Sequence, residues 1–436
     1  MLTITTPGHN FLSEYKYIIN CIFSQWLSAD YKIVIGHSGQ WSLSQGGNQV
    51  TFPNIFFPEH SPDDFFQGKC LQQSLKAHYI DGSDLPFPFA FPDARELSSV
   101  DILGTVFFFL TCYEDTYSSR HTEFNGTLSP SDAFLVQNNI IHRPVVDEML
   151  ILLHDYLKKQ NIYIDLHPFP YALQYSCDID TPTFCYGRNP AITFKYIISS
   201  ILRHRSLDRL SSVVKSHFSI NKDFFFTFPW ILTELEKYGL CGCFNLKGGV
   251  TNKKFDKNYS LHSKWMKDLL RLLTSQGHEL GFHPSYGTVG NPSAFFQELK
   301  RVQEVAPAPI RGGRQHYLRF LGSSTWKMWD DAGLEYDSTV GFNKVPGFRV
   351  GTAREYPVFD LNRRNQLNLK ERPLIIMDCT LLDYGHNTID ESFDIAYQLA
   401  QHVRHYGGNM TLLWHNSYLE TPDKRELFSQ ILKYLS

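Results

Sequence analysis

Residues 171–182, Tyr-Ala-Leu-Gln-Tyr-Ser-Cys-Asp-Ile-Asp-Thr-Pro, decide how the rest of the chain is read. Leu173–Cys177 has the composition of a strand. Asp178 and Asp180 follow at i and i+2, which puts both carboxylates on one face of an extended backbone, and Pro182 stops the strand just beyond them. Two like charges this close are costly unless a cation or a proton separates them. A metal ion beside a general base accounts for the pair. A strand-end Asx turn with a helix cap accounts for it equally well.

Downstream of Tyr171 strand-like runs alternate with helical ones. The strands are expected at Leu173–Cys177, Phe224–Phe228, Gly239–Asn245, His278–His283, Ile310–Arg314, Tyr336–Thr339, Leu374–Met377 and Asn409–Trp414. Helices are expected at Thr193–Arg203, Pro229–Tyr238, Ser260–Gln276, Ser293–Val305, Ser323–Ala332 and Ile389–His405. This alternation predicts an α/β fold with parallel strands. Seven or eight such units over roughly 260 residues have the size of a (β/α) barrel, whose chemistry sits at the C-terminal ends of the strands.

Upstream the pattern differs, and we place a domain boundary near residue 165: residues 1–165 form an N-terminal α/β accessory domain, and 166–436 the barrel. Ser99–Asp115 reads as a buried helix, and a second helix runs from Arg143-Pro144 to about Lys159, with proline at its start where a missing N–H costs least. The proline-spaced stretch 86–92, PFPFAFP, reads as an aromatic loop; with Phe87, Phe89 and Phe91 it is expected to narrow the barrel mouth. His37, His60, His78 and His121 are isolated and read as surface or core residues.

The 436 residues carry 41 Lys+Arg against 44 Asp+Glu, a net charge of −3, which argues against nucleic acid and anionic membranes as main partners. A hydrophobic fraction of 42% supports a large core, and 34 Phe with 23 Tyr leave room for sugar-stacking rings as well. No apolar run approaches the ~18 residues of a membrane helix. Without a recognisable export signal in residues 1–23, a cytoplasmic location is expected. The 8 cysteines have no CxxC spacing and are expected as free thiols.

Three further strand ends carry chemistry. In 277–286, GHELGFHPSY, strand alternation turns His283 away from His278, so the two do not share a metal. In 311–320, RGGRQHYLRF, Arg314 can neutralise or orient a carboxylate. In 411–417, TLLWHNS, an apolar strand delivers His415 to its end, where it can act as a general acid.

Taken in order, these motifs resemble the polysaccharide deacetylase (NodB-homology, carbohydrate esterase) family, and within it a subgroup with an extra N-terminal domain that shares runs such as VDILGTVFFFLTCYED, RPVVDEMLILL, YDSTVGF and GFRVGT. The resemblance covers roughly residues 95–420. It implies a distorted (β/α)7-type barrel and a metal-dependent hydrolase that removes an N-acetyl group from a carbohydrate, in surface glycan biosynthesis. It implies Asp178 as catalytic base, Arg314 beside it, His415 as general acid, and Asp180 and His283 as ligands of a divalent metal, zinc foremost. Tyr286, Tyr317 and Trp414 follow or end these strands and are the expected substrate-binding rings.

One departure stands out. The family's second metal histidine falls four residues after His283, where this chain has Gly287. His316, His386, Asp378 and Asp178 are the candidate replacements, and the sequence does not choose among them. Cys177 stands where relatives carry histidine, and packing is its expected role. The missing ligand keeps open a degenerate fold that only binds saccharide, and an enzyme acting on a different acyl group.

Overall fold

A computed structural model of the chain describes residues 1–57, 75–117, 127–199 and 207–436. His60, Cys70, His121 and the expected helix end at Arg203 lie outside the described residues.

The N-terminal part is built on a sheet of β1 (Leu2–Thr6), β3 (Tyr31–Ile35), β4 (Gln40–Gln45) and β5 (Asn48–Pro53), in the order β3-β1-β4-β5, while β2 (Leu27–Ser28) pairs separately with β6 (Asp165–Leu166). Gly46 and Gly47, both at positive φ, make the two-residue turn between β4 and β5, where other side chains would be strained. The helix Ile102–Leu110 is buried on every face. Its cap, Asp101, accepts hydrogen bonds from Gly104, Ile55 and Phe56 N–H at 2.8–2.9 Å, so one carboxylate starts the helix and anchors the segment after β5. The aromatic loop belongs to this core: Phe87 and Phe89 are buried, with Phe89 packed on Phe56 and Phe108, and Phe91 is exposed. The Phe87 and Phe89 rings therefore fill the N-terminal core and do not line the barrel mouth.

The second sheet has nine strands: β7 (Tyr171–Ile179), β8 (Gly242–Leu246), β9 (Glu279–Phe282), β10 (Gly312–Gly313), β11 (Tyr336–Asp337), β12 (Tyr356–Asp360), β13 (Asn365–Glu371), β14 (Ile376–Met377) and β15 (Gly408–Leu413). The order is β12-β13-β11-β10-β9-β8-β7-β15-β14, and every pairing is parallel except β12 with β13. The result is a distorted (β/α)7-type barrel, with β12 and β13 as an inserted hairpin. Leu374 N–H donates to Val340 O at 2.9 Å, so irregular backbone bridges the split between the two ends of the sheet. Amphipathic helices cover the outside; Lys264–Ser275 buries Met266, Leu269, Leu270 and Leu273 and leaves its charged residues to solvent.

All six helices and seven of the eight strands expected downstream of Tyr171 are present, with boundaries shifted by a few residues, as are the two helices expected upstream. Phe224–Phe228 is not a strand. Asp223 accepts the N–H groups of Phe184, Cys185, Tyr186 and Phe225, which fixes a loop, and a helix starts at Phe228 with Pro229 in its first turn. The β12–β13 hairpin was not expected.

The two halves share one hydrophobic core. Tyr17 packs its ring on Phe359 and donates its hydroxyl to Pro357 O at 2.9 Å. Glu14 pairs with Arg364 at 2.7 Å, and Asp147 with Arg354 at 2.9 Å.

Candidate metal and acid-base site

The parallel register brings the C-terminal ends of β7, β8, β9, β10, β14 and β15 together at one mouth of the barrel. Asp178 is the penultimate residue of β7 and is 2% exposed. Its Oδ1 accepts from Asn245 Nδ2 at 2.6 Å and from Arg314 Nη1 at 3.1 Å. Burial raises the Asp178 carboxyl, but the positive charge around it, the Arg314 guanidinium included, outweighs this and holds the group below the ordinary carboxylate range. Arg314 is itself fixed: its Nε donates to Ser338 O, its Nη2 to Ser338 Oγ and its Nη1 also to Ser176 Oγ.

Asp180, one residue past β7, looks into a different set of groups. Its Oδ1 lies 3.2 Å from His283 Nε2, 3.1 Å from His316 Nε2 and 3.6 Å from Lys247 Nζ. His283 Nδ1 donates to Arg314 O at 2.6 Å, which commits that ring's proton to Nδ1 and leaves a lone pair on Nε2. His316 Nδ1 faces Asp256 Oδ1 at 2.9 Å, the carboxylate–histidine arrangement that orients metal-binding imidazoles. Asp180 Oδ1 and His283 Nε2 are buried and have no hydrogen-bond partner among the described residues. Two lone pairs that face each other across 3.2 Å repel unless a cation lies between them. Asp180, His283 and His316 offer ligand atoms within 4.8 Å of one another. This donor set of one carboxylate and two imidazoles suits a divalent transition metal with an open position.

The third residue of this candidate set, His316, comes from just beyond β10 and not from position 287. Gly287 sits in a short 3-10 turn where its N–H meets Thr251 Oγ1 at 2.6 Å, and an added Cβ would lie 2.9 Å from Thr251. His316 reaches inward because the residues after it, Tyr317 and Leu318, take left-handed backbone conformations at φ 60° and 51°. Both are non-glycine residues, and such strain gathers at functional sites. Of the other candidates, His386 is exposed, Asp178 is held by Arg314, and Asp378 stands behind His415.

His415 follows β15. Its Nδ1 lies 2.9 Å from Asp378 Oδ1, and its backbone N–H donates to Asp378 Oδ2. Its Nε2 points toward Asp180 Oδ2 at 3.6 Å. Burial pulls the His415 imidazole down, but the charge and hydrogen bond of Asp378 overcome it and push it up to about 9. Asn245, Asp256 and Lys247 had no assigned role in the sequence reading, and Asp378 stood there only as a candidate metal ligand. Each lies at or just beyond a strand end or in a following loop, so position was the available signal.

The aromatic expectations divide. Trp414 is fully buried with its ring against Phe428, so it belongs to the core and cannot meet a substrate. Tyr286 is 8% exposed, stacked on Phe255 at 4.2 Å and covered by the Arg319 guanidinium. Tyr317 alone of the three offers substantial surface, 37% exposed at the rim beside His316. Cys177 is buried, outside the metal-ligand cluster, and burial raises its thiol.

Residues 2–162 match a family of unknown function, DUF7033. No curated protein matches the chain. Among solved structures, the chain is similar to a protein assigned as a polysaccharide deacetylase from Mycobacterium smegmatis, with 17% identity, TM-score 0.41, and 61% of this chain and 84% of that one covered. It is also similar to Puue allantoinase, at 12% identity and TM-score 0.38 over 62% of this chain and 87% of that one. A third neighbour, assigned as a polysaccharide deacetylase from Pseudomonas aeruginosa PAO1, has 12% identity and TM-score 0.39 over 62% of this chain and 88% of that one.

Proposed function

We propose that the protein is a metal-dependent hydrolase that removes the acetyl group from an N-acetylated carbohydrate, in the making of a surface glycan from a cytoplasmic precursor. The observation that carries this reading is the convergence of Asp180, His283 and His316 between an ionised carboxylate, Asp178, and a protonated imidazole, His415. A divalent cation, zinc foremost, would be held by Asp180, His283 and His316 and would supply Lewis acidity toward the acetamide carbonyl and a lowered water pKa.

The chain's own groups then divide the proton work. Asp178 takes a proton from the attacking water, and Arg314 and Asn245 keep its carboxylate ionised and aimed. His415 gives its Nε2 proton to the departing sugar nitrogen as the C–N bond breaks, and Asp378 stabilises the imidazolium beforehand. Tyr317 provides a face for a sugar ring. Residues 1–165 serve as the accessory part. The non-catalytic alternative drew its motive from Gly287; in the reading proposed here His316 would supply the ligand that Gly287 lacks.

The test is acetate release from N-acetylated sugars by metal-loaded protein, with metal content measured on the same sample. One equivalent of metal with acetate release supports the reading; metal-loaded protein inert on every N-acetyl sugar offered would overturn it.

A further inference from the structure

Beside the triad lies a cavity of about 940 Å³. Lys247 and Asp256 belong to its lining, so it adjoins the candidate metal site through groups that touch Asp180 and His316. Five cationic side chains line it: Arg188, Lys247, Lys253, Lys257 and Arg301. The acidic residue in the lining, Asp256, has no capacity to spare. Its Oδ1 takes His316 Nδ1 and Tyr286 N–H, and its Oδ2 takes Thr251 and Asn252 N–H. Five cations against this one carboxylate leave the lining with an excess of positive charge, on a chain whose net charge is −3.

Two of these cations are built in. Lys247 is 3% exposed, and among the described residues its ammonium has no hydrogen-bond acceptor; Asp180 Oδ1 lies 3.6 Å away as its ion-pair partner. Arg188 is half-buried, and its Nη2, itself buried, has no hydrogen-bond partner among the described residues. Burying an ammonium without an acceptor is unfavourable unless a ligand completes it. Lysines and arginines gathered in a cleft, where low-dielectric walls focus the field, are suited to a multiply charged oxyanion. The volume exceeds one sugar ring, and pockets of this size enclose whole small-molecule ligands.

We infer that this cavity is a phosphoryl subsite, and that the saccharide presented to the triad carries a diphosphate. This deepens the hydrolase reading and rests on it for the acetyl group, but not for the anion. A nucleoside diphosphate sugar and a polyprenyl diphosphate sugar present the same chemistry.

The experiment has a binding arm and a turnover arm. The probe for binding is inorganic pyrophosphate, titrated calorimetrically into chelator-treated full-length protein. Wild type should bind it with an affinity that falls as salt rises, and Lys253→Ala/Lys257→Ala should weaken binding at least tenfold; both side chains are exposed, and unchanged circular dichroism confirms the fold. Absent binding, or equal affinity in the double variant, overturns the subsite. In turnover, metal-loaded wild type should prefer a diphosphate-linked N-acetylhexosamine to neutral di-N-acetylchitobiose at least tenfold in kcat/KM, and the double variant should lose that preference. Preference for the nucleoside-linked or for the lipid-linked sugar identifies the source of the diphosphate. No preference for either overturns the inference. Pyrophosphate binding without acetate release from any sugar would retire the hydrolase reading and keep the subsite. Acetate release from the neutral sugar without pyrophosphate binding would do the reverse.

Discussion

His316 Nε2 lies 3.1 Å from Asp180 Oδ1, while the opposite nitrogen of the same ring faces Asp256 at 2.9 Å. In the proposed metal site, a histidine held between two carboxylates in this way would be a ligand with its orienting group already in place. Removing it should empty the site. His316→Ala is expected to lose the metal equivalent that wild type retains, as measured by elemental analysis after dialysis. Gly287→His in that background should not restore it, because the Cβ at 287 would crowd Thr251 at 2.9 Å. Metal retained by His316→Ala would show that the triad is assigned wrongly.

Asp178→Asn removes the proton acceptor and keeps the shape. Acetate release should fall by about 10²–10⁴-fold, the range for loss of a positioned base. Circular dichroism and metal content should stay as in wild type. Full activity in the Asp178→Asn variant would eliminate this carboxylate as the base.

The dyad of His415 and Asp378 is expected to set the alkaline limit of the proposed reaction. The His415 imidazole is raised to about 9, against burial, by Asp378. The acid form therefore persists through neutral pH, and kcat/KM should fall as pH climbs past that value. Asp378→Asn removes the charge that raises the group, so the fall should move to lower pH. A pH–rate profile unchanged by Asp378→Asn would separate His415 from the acid role.

Far from the site, Asp147 and Arg354 join the two halves of the chain. Burial raises the Asp147 carboxyl to about 6, although the Arg354 guanidinium and the Trp26 indole N–H both stabilise its charged form. Arg354→Met leaves a buried carboxylate without its counter-ion, which should destabilise the fold by about 3–5 kcal/mol at pH 7 in urea unfolding. A carboxyl whose pKa is higher folded than unfolded binds protons more tightly in the native state, so its contribution improves as pH falls from above 6 toward its unfolded value near 4. The variant should regain part of its stability at about pH 5, and Asp147→Asn added to it should remove that pH dependence. A loss independent of pH would place the defect in packing instead.

The barrel was legible because β7, β9 and β15 deliver Asp178, His283 and His415 directly from apolar or alternating runs. Strand alternation alone separated His283 from His278, whose Nδ1 instead takes Gly242 N–H at 3.0 Å. The third candidate ligand, His316, was legible only as one of four, because β10 is two residues long and His316 is followed by two left-handed residues. Such backbone angles leave little mark in composition when neither residue is glycine. Phe224–Phe228 misled because three adjacent phenylalanines imitate a strand, while Asp223 gathers four backbone N–H groups into a loop. Trp414 was misplaced by one step of alternation: His415 faces the mouth, and its predecessor faces the helix 422–435. The β12–β13 hairpin was missed because β12, all buried, carries Pro357, and β13 alternates among largely polar residues.

The shared core also orders events in time. Tyr17 and Glu14 find their partners, Pro357 and Arg364, 340 and 350 residues later in the chain. At about 5–20 residues per second, roughly 20–70 s of synthesis separate the two surfaces. Contacts this distant in sequence slow folding, since loop closure precedes any gain from them. The nascent helix Leu12–Asn20, which carries both residues, must therefore wait with this surface uncovered until the β12–β13 hairpin leaves the ribosome. The yield of folded chains is then expected to depend on the speed at which the second half is made.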